Sequence, residues 1–425
     1  MVDIRPFKAI LYTRKAGNPE NLITQPYDKI DPEQQKEYYQ KSAYNYCRVI
    51  LPLEENKYQA AQQRIERWLK EGILVKEKEP AVFISRQEFT LDDKKFERSG
   101  LIAAIRLYDY RENMVFPHEK TYKAPKADRL NMLRTVQKDL EPVFLIYSDP
   151  ERKTITLLEE VAKTKPIIQV TDSLQVKHTL WKVTDPQKIK QLQADLSDKT
   201  MVITDGHHRY ESALAYRDEM RRKGNWTADS AFNFHMSYMV PVQEEGLVVL
   251  PTHRLLKEFK LTDEVLQEFK RFFDVSEIDS TVEALEDFLE SHVNEHAFCV
   301  YDGSKAYGLC LKHDKGVYDF VNAKVSKETK IFDVVILRDI VFKHILKTGE
   351  LNMDEHILYE RWTRTAVDKV NCGEASIAFL VNPISAQTVA EIAQQHELLP
   401  EKSTDFYPKM VSGLMIMDIS VSEKL

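Results

Sequence analysis

Glycine is scarce in this chain, with 12 residues in 425, roughly half the usual share. Loops that need several close glycines to cradle phosphate are correspondingly disfavoured. No G-x-G-x-x-G occurs, and the one Walker-like glycine spacing, Gly303 to Gly308, runs into Leu309 and Cys310 where such a loop requires Lys and Ser or Thr. Ordinary Rossmann and P-loop nucleotide binding is therefore not expected. Cysteine is sparse too. Cys47, Cys299, Cys310 and Cys372 are widely spaced and form no C-x-x-C pair, which excludes a zinc ribbon or disulfide framework and leaves buried free thiols as the expectation. The chain has no run of about 18 apolar residues. Its first residues carry Asp3, Arg5, Lys8 and Arg14 where a secretion signal would be apolar. No long basic stretch could neutralise a nucleic-acid backbone. These absences predict no membrane partner, no nucleic-acid partner and a cytoplasmic location.

What remains is the composition of a globular protein: 43% hydrophobic and 30% charged residues, with 60 basic against 67 acidic side chains and a net charge of -7. A chain of 425 residues exceeds one ordinary core, so two or three compact units are expected. Strand-like and helix-like runs alternate through most of the length, predicting an α+β fold of mixed sheets with flanking helices. The texture changes near Pro251, which suggests units over 1–250 and 251–346, with 347–425 completing a site cleft. Lys57 to Glu71 places Tyr58, Ala61, Ile65, Trp68 and Leu69 on one helical face, and Ala81–Thr90 with Leu101–Tyr110 reads as a hairpin around a charged turn. Further strands are expected at Val143–Tyr147, Ile167–Thr171, Met201–Thr204, Ile377–Val381 and Met410–Ile419. Helices are expected at Glu151–Thr164, Asp185–Leu196, His207–Lys223, Thr262–Phe273, Thr281–Val293, Ile331–Leu346 and Ser385–His396.

The strongest chemical signal is the segment Met201 to Tyr210, read as strand, Asp205-Gly206 turn and helix start. Gly206 permits close backbone approach, and the first amides of the following helix are donors at the positive end of its dipole, which suits an anion. His207, His208 and Arg209 add three adjacent donors. The plainer alternative is that Asp205 caps the helix and the histidines are solvated. A second cluster, Phe116-Pro-His-Glu-Lys-Thr121 with Lys123, Lys126, Asp128 and Arg129, supplies an acid, a base and cations, although His118 and Glu119 would point to opposite sides of a strand. A third, Leu399 to Lys409, gathers Lys402, Ser403, Thr404 and Lys409 in a proline-broken loop. Gln25-Pro-Tyr-Asp28 and Pro251-Thr-His-Arg254 are smaller polar turns.

These pieces together resemble domain-of-unknown-function family 1015, and the resemblance spans nearly the whole chain. The chain departs from that pattern at Gln25, where Pro is usual, and at Asp405, where an aromatic is common. More distantly, the Asp205 to Tyr210 turn resembles the phosphate-binding turn of the ParB and sulfiredoxin superfamily, which includes free-serine kinases. Sulfiredoxin carries its catalytic cysteine in this turn, where this chain has His207 and His208, so the resemblance does not extend to redox chemistry. It implies phosphoryl transfer to a small metabolite. Gly206, His207, His208, Arg209, Arg129, Lys402, Ser403, Thr404 and Lys409 would then bind phosphate, Glu119 would act as base with Asp205 next, and His118 would assist. ATP or ADP with Mg²⁺ is the cofactor so implied. Two alternatives remain at this level: a metal-dependent hydrolase using Asp205, His207, His208 and His118, and a nucleotide-responsive binding protein without turnover.

Overall fold

The computed structural model describes residues 1–119, 123–224, 226–312, 317–321, 332–347, 356–400 and 402–425. It is an α+β protein with two compact units. The first comprises residues 1–117, 121–248 and 408–425, and the second residues 118–120 and 249–407. Among the described residues no helix is long and apolar enough to cross a membrane.

The first unit is built on a mixed nine-stranded sheet. Its strands in chain order are β1 (Ile4–Arg5), β2 (Val82–Leu91), β3 (Lys94–Arg106), β4 (Val115–Pro117), β5 (Val143–Tyr147), β6 (Ile168–Thr171), β7 (Lys177–Val183), β8 (Met201–Asp205) and β9 (Phe234–Pro241). The sheet runs β4-β8-β5-β9-β3-β2-β7-β6, with β1 on β3. β8 is parallel to β4, β9 is parallel to β5, and the other pairs are antiparallel. The predicted hairpin is β2 and β3, but its second strand runs Lys94–Arg106 rather than Leu101–Tyr110, because the charged residues 94–97 ladder with β2 and the chain reverses earlier, at Asp92 and Asp93, whose φ values of 47° and 59° are the left-handed pair that a two-residue hairpin turn requires. Helices α1 (Lys57–Lys70), α2 (Lys123–Val136), α3 (Lys153–Ala162), α4 (Pro186–Ser197) and α5 (His207–Arg222) accompany it. α1 buries Ala61, Ile65 and Trp68, three residues of the predicted stripe.

The second unit has a six-stranded, wholly antiparallel sheet. Its strands are β10 (His253–Leu256), β11 (Phe273–Ile278), β12 (Ala297–Tyr301), β13 (Ala306–Leu311), β14 (Ile357–Glu360) and β15 (Ile377–Val381), in the order β11-β13-β12-β15-β10-β14. Helices α6 (Asp263–Phe272), α7 (Val282–Ser291), α8 (Thr363–Asn371) and α9 (Ala386–Gln394) belong to it. α6 and α7 are each capped by a threonine, Thr262 and Thr281, whose hydroxyl accepts the amide three residues on.

Two predicted elements take another form. Of the apolar helix expected over Ile331–Leu346, Asp333–Ile336 is α-helical and Leu337–Ile345 opens into π turns, while 331 lies outside the described residues. Met410–Ile419 is almost wholly buried, yet of it only Met417–Asp418 forms a strand; Ser412 and Ile416 make isolated bridges. Its apolar residues pack as a buried strap, so they read like strand without laddering as one.

Candidate functional site

Strand β8 ends in an irregularity that aims its last carboxylate. The β5–β8 register slips between Ile203 and Asp205, and the Thr204 hydroxyl donates to the Phe144 carbonyl at 3.1 Å. Gly206 then takes φ 87°, ψ 28°, and α5 starts at His207 without any side-chain cap. The positive φ of Gly206 requires glycine, and a Cβ there would also crowd the Arg209 guanidinium, 2.8 Å away. Tyr210 anchors this helix start, its hydroxyl bonding the Tyr108 carbonyl and accepting the Tyr108 amide, both at 3.0 Å.

Three cations surround Asp205. Arg209 pairs with it one helical turn on, Lys409 places its ammonium 3.0 Å away, and Lys29 adds its charge. Burial pushes the Asp205 carboxyl up, but these three cations outweigh it and hold the group well below the usual carboxylate range. Arg209 also donates to the Pro142 carbonyl, and both Arg209 and Lys409 are buried, each 8% exposed. Lys409 is braced from below. Its own carbonyl accepts from Gln87 at 3.1 Å, and the preceding Pro408 carbonyl accepts from the fully buried Arg98, which also bonds Gln87 and lies over the Phe144 ring.

A second group lies in the same unit. Glu141, 3% exposed, accepts the Tyr27 amide at 3.1 Å and the Ser412 hydroxyl at 2.7 Å, with Arg129 at 3.9 Å. Arg129 stacks over the Tyr27 ring at 4.0 Å and pairs with Asp128. Burial pushes the Asp128 carboxyl up, but Arg129, Lys57 and Tyr58 outweigh it and draw it down to about 2. Arg129, Glu141 and Arg209 line a cavity of about 30 Å³ together with Asp139 and His235. That is room for a water or two and too little for a nucleotide. Asp139 and His235 stand 3.1 Å apart. Burial raises the Asp139 carboxyl to about 8 and lowers His235 to about 4.

Of the predicted residues, then, Asp205, Gly206, His207, His208, Arg209, Arg129 and Lys409 belong to the first unit. His207 is buried and His208 half-buried at the helix start. The Tyr27-Asp28 turn joins them, since Asp28 and Tyr27 are among the groups that hold the Arg209 proton in place. Sequence reasoning missed Lys29, Glu141, Asp139 and His235, and no local motif marks them; their burial or their charge at the site is what distinguishes them.

His118, Glu119, Lys402, Ser403 and Thr404 belong to the second unit. There the fully buried His118 ring lies 2.8 Å from the Thr404 hydroxyl, 286 residues away in sequence, and meets Phe406 edge-on. Glu119 forms a parallel bridge with Leu399, whose amide donates to the His118 carbonyl at 2.9 Å. Lys402 turns left-handed at φ 56°, its carbonyl accepting from Arg254, and the Ser403 hydroxyl bonds the Pro400 carbonyl. Lys120, Thr121 and Glu401 of these motifs lie outside the described residues. Among the described residues, Asp205, His207 and His208 do not bring metal-ligand atoms within reach of one ion; the one such group is His292, Glu295 and Cys310.

The chain belongs to the family described as Protein of unknown function (DUF1015), which matches residues 4–335. No curated protein matches it. Solved structures are similar only distantly. A conserved hypothetical protein from Pyrococcus furiosus is 14% identical, over 74% of this chain and 94% of its own, with a TM-score of 0.34. A free serine kinase in complex with AMP is 14% identical, over 77% and 93%, with a TM-score of 0.36. A mutant free serine kinase in complex with ADP is 13% identical, over 77% and 94%, with a TM-score of 0.37.

Proposed function

We propose that this chain is a cytoplasmic phosphoryl-transfer enzyme, a small-metabolite kinase of the serine type, which holds the phosphates of a nucleotide at the turn between β8 and α5. The observation that carries this reading is a sixteen-residue helix that begins at a left-handed glycine, lacks a side-chain cap, and is flanked by the buried cations Arg209 and Lys409. The first amides of a helix have no partner within it, and its dipole favours negative charge there. Lys29, Arg209 and Lys409 are the cations whose charge bears on Asp205 at this turn. Transfer of a phosphoryl group depends mainly on such positioning and charge neutralisation. The resemblance of the Asp205 to Tyr210 turn to that of ParB and the serine kinases supports the same reading.

Asp205 stays ionised at any ordinary pH and is a poor proton acceptor, so its role is to hold Lys409 and Arg209 in register. Glu119 is assigned the acceptor's proton. Among the described residues no carboxylate cluster offers Mg²⁺ a cage of its own, and an ion arriving with the nucleotide would take most of its ligands from phosphate and water.

Calorimetry with ATP and ADP in the presence of Mg²⁺ tests the reading. The wild-type chain should bind at least one of them, and Lys409→Met should weaken that binding by about 1 to 3 kcal/mol, the scale of a charge-assisted hydrogen bond. Glu119→Gln should slow phosphorylation of the acceptor roughly 10²- to 10⁴-fold while nucleotide affinity stays at the wild-type value. If the folded wild-type chain binds neither nucleotide, the reading fails.

A further inference from the structure

A cluster of ligand-type side chains, apart from the residues of the proposed activity, lies in the second unit. The turn after α7 carries His292 and Glu295 and leads directly into β12, whose Ala297 stands opposite Cys310 of β13. That register sets Cys310 beside the turn. Gly308 precedes Cys310 by two residues and so faces the same side of the sheet. A Cβ at Gly308 would lie 2.3 Å from the Phe288 ring, so glycine is what admits Phe288 to that face. His292 stacks on Phe288 with ring centres 4.3 Å apart, and its Nδ1 lies 2.7 Å from the Phe288 carbonyl. With Nδ1 donating to that carbonyl, the tautomer is set and the Nε2 lone pair is left for a ligand, the arrangement that commonly orients metal-binding histidines. One ligand atom from each of His292, Glu295 and Cys310 lies within 4.8 Å of the others.

The geometry points to a divalent-metal site made by His292, Glu295 and Cys310, taking a zinc-class ion and leaving a fourth position to water. Thiolate, imidazole and carboxylate together suit Zn²⁺ or Co²⁺ and are a poor set for Mg²⁺ or Ca²⁺. Ligands at about 2.0 to 2.3 Å from a tetrahedral ion lie about 3.5 Å from one another, so closure needs a movement of about 1 Å. Glu295 is exposed and can supply it. Binding would replace the thiol proton by the metal and release it to solvent.

Titration of the chelator-treated, full-length chain with Co²⁺ tests this. One equivalent should produce a thiolate-to-cobalt charge-transfer band in the near ultraviolet, and Zn²⁺ should abolish it. Cys310→Ser should remove the band. Glu295→Gln, at an exposed position, should weaken Co²⁺ binding by at least about tenfold, the least that losing a partner of a metal ligand costs. Cys372→Ser should leave the titration unchanged. Absence of a saturable band in the wild-type chain, its survival in Cys310→Ser, or its loss in Cys372→Ser overturns the site.

Discussion

The two units handle charge differently. The first buries Arg98, Arg129, Arg209, Lys409 and Glu141 inside or beside its sheet, whereas the sheet core of the second is apolar, with Leu255, Leu285, Cys299, Ala378 and Leu380 at its centre. Arg254, Asp339 and Asp405 are the buried charges of the second unit among the described residues. Desolvating a charge costs several kcal/mol, and pairing does no more than offset it, so apolar residues would generally fill the same space at no loss of stability. On the proposed function, the paired, buried charge around the start of α5 serves recognition rather than folding. The second unit shows what this chain does where only a core is needed.

The contrast should be largest at Asp205. Asp205→Asn leaves Arg209 and Lys409 without their shared carboxylate and should cost about 3 to 5 kcal/mol, read from the urea unfolding of the first unit. A loss under about 1 kcal/mol would mean that water already compensates these cations.

The Asp139–His235 pair provides the next test. In the folded chain the pair keeps one proton from about pH 4 to about pH 8, whereas unfolded it loses that proton near the ordinary histidine value of 6.5. The native state thus binds more protons between pH 6.5 and 8, and its stability must fall as pH rises through that window. The span is worth about 2 kcal/mol, at 1.36 kcal/mol per pH unit. Asp139→Asn should flatten the pH dependence of the unfolding midpoint there; an unchanged slope would place the proton elsewhere.

The smallest effect should come from the surface of the second unit. Arg364 and Glu283 pair at 3.1 Å with both side chains about two-thirds exposed, so Arg364→Ala should cost less than about 1 kcal/mol. A cost equal to that of Asp205→Asn would erase the distinction between the units.

Residues with a strong local pattern were readable in advance. Val143–Tyr147 and Ile377–Val381 are compact apolar runs, and the Asp205-Gly206 turn marks a strand end and a helix start within a few residues. β9, Phe234–Pro241, escaped because all eight of its residues are buried and it includes His235, Ser237 and Tyr238, so it shows neither alternation nor an apolar run. The π turns of Leu337–Ile345 escaped because an apolar period near 3.6 does not distinguish α from π.

Sequence by itself determined the α+β class, the family, and the strand end, glycine turn and helix start at Asp205 to His207, because period and glycine placement act over a few neighbouring residues. Tertiary structure decided which charges answer which. Lys409 reaches Asp205, Ser412 reaches Glu141 and Thr404 reaches His118 only after a long stretch of chain has folded between them. The worth of each such pair depends on how completely its surroundings exclude water, and burial is a property of the packed molecule that no local pattern encodes.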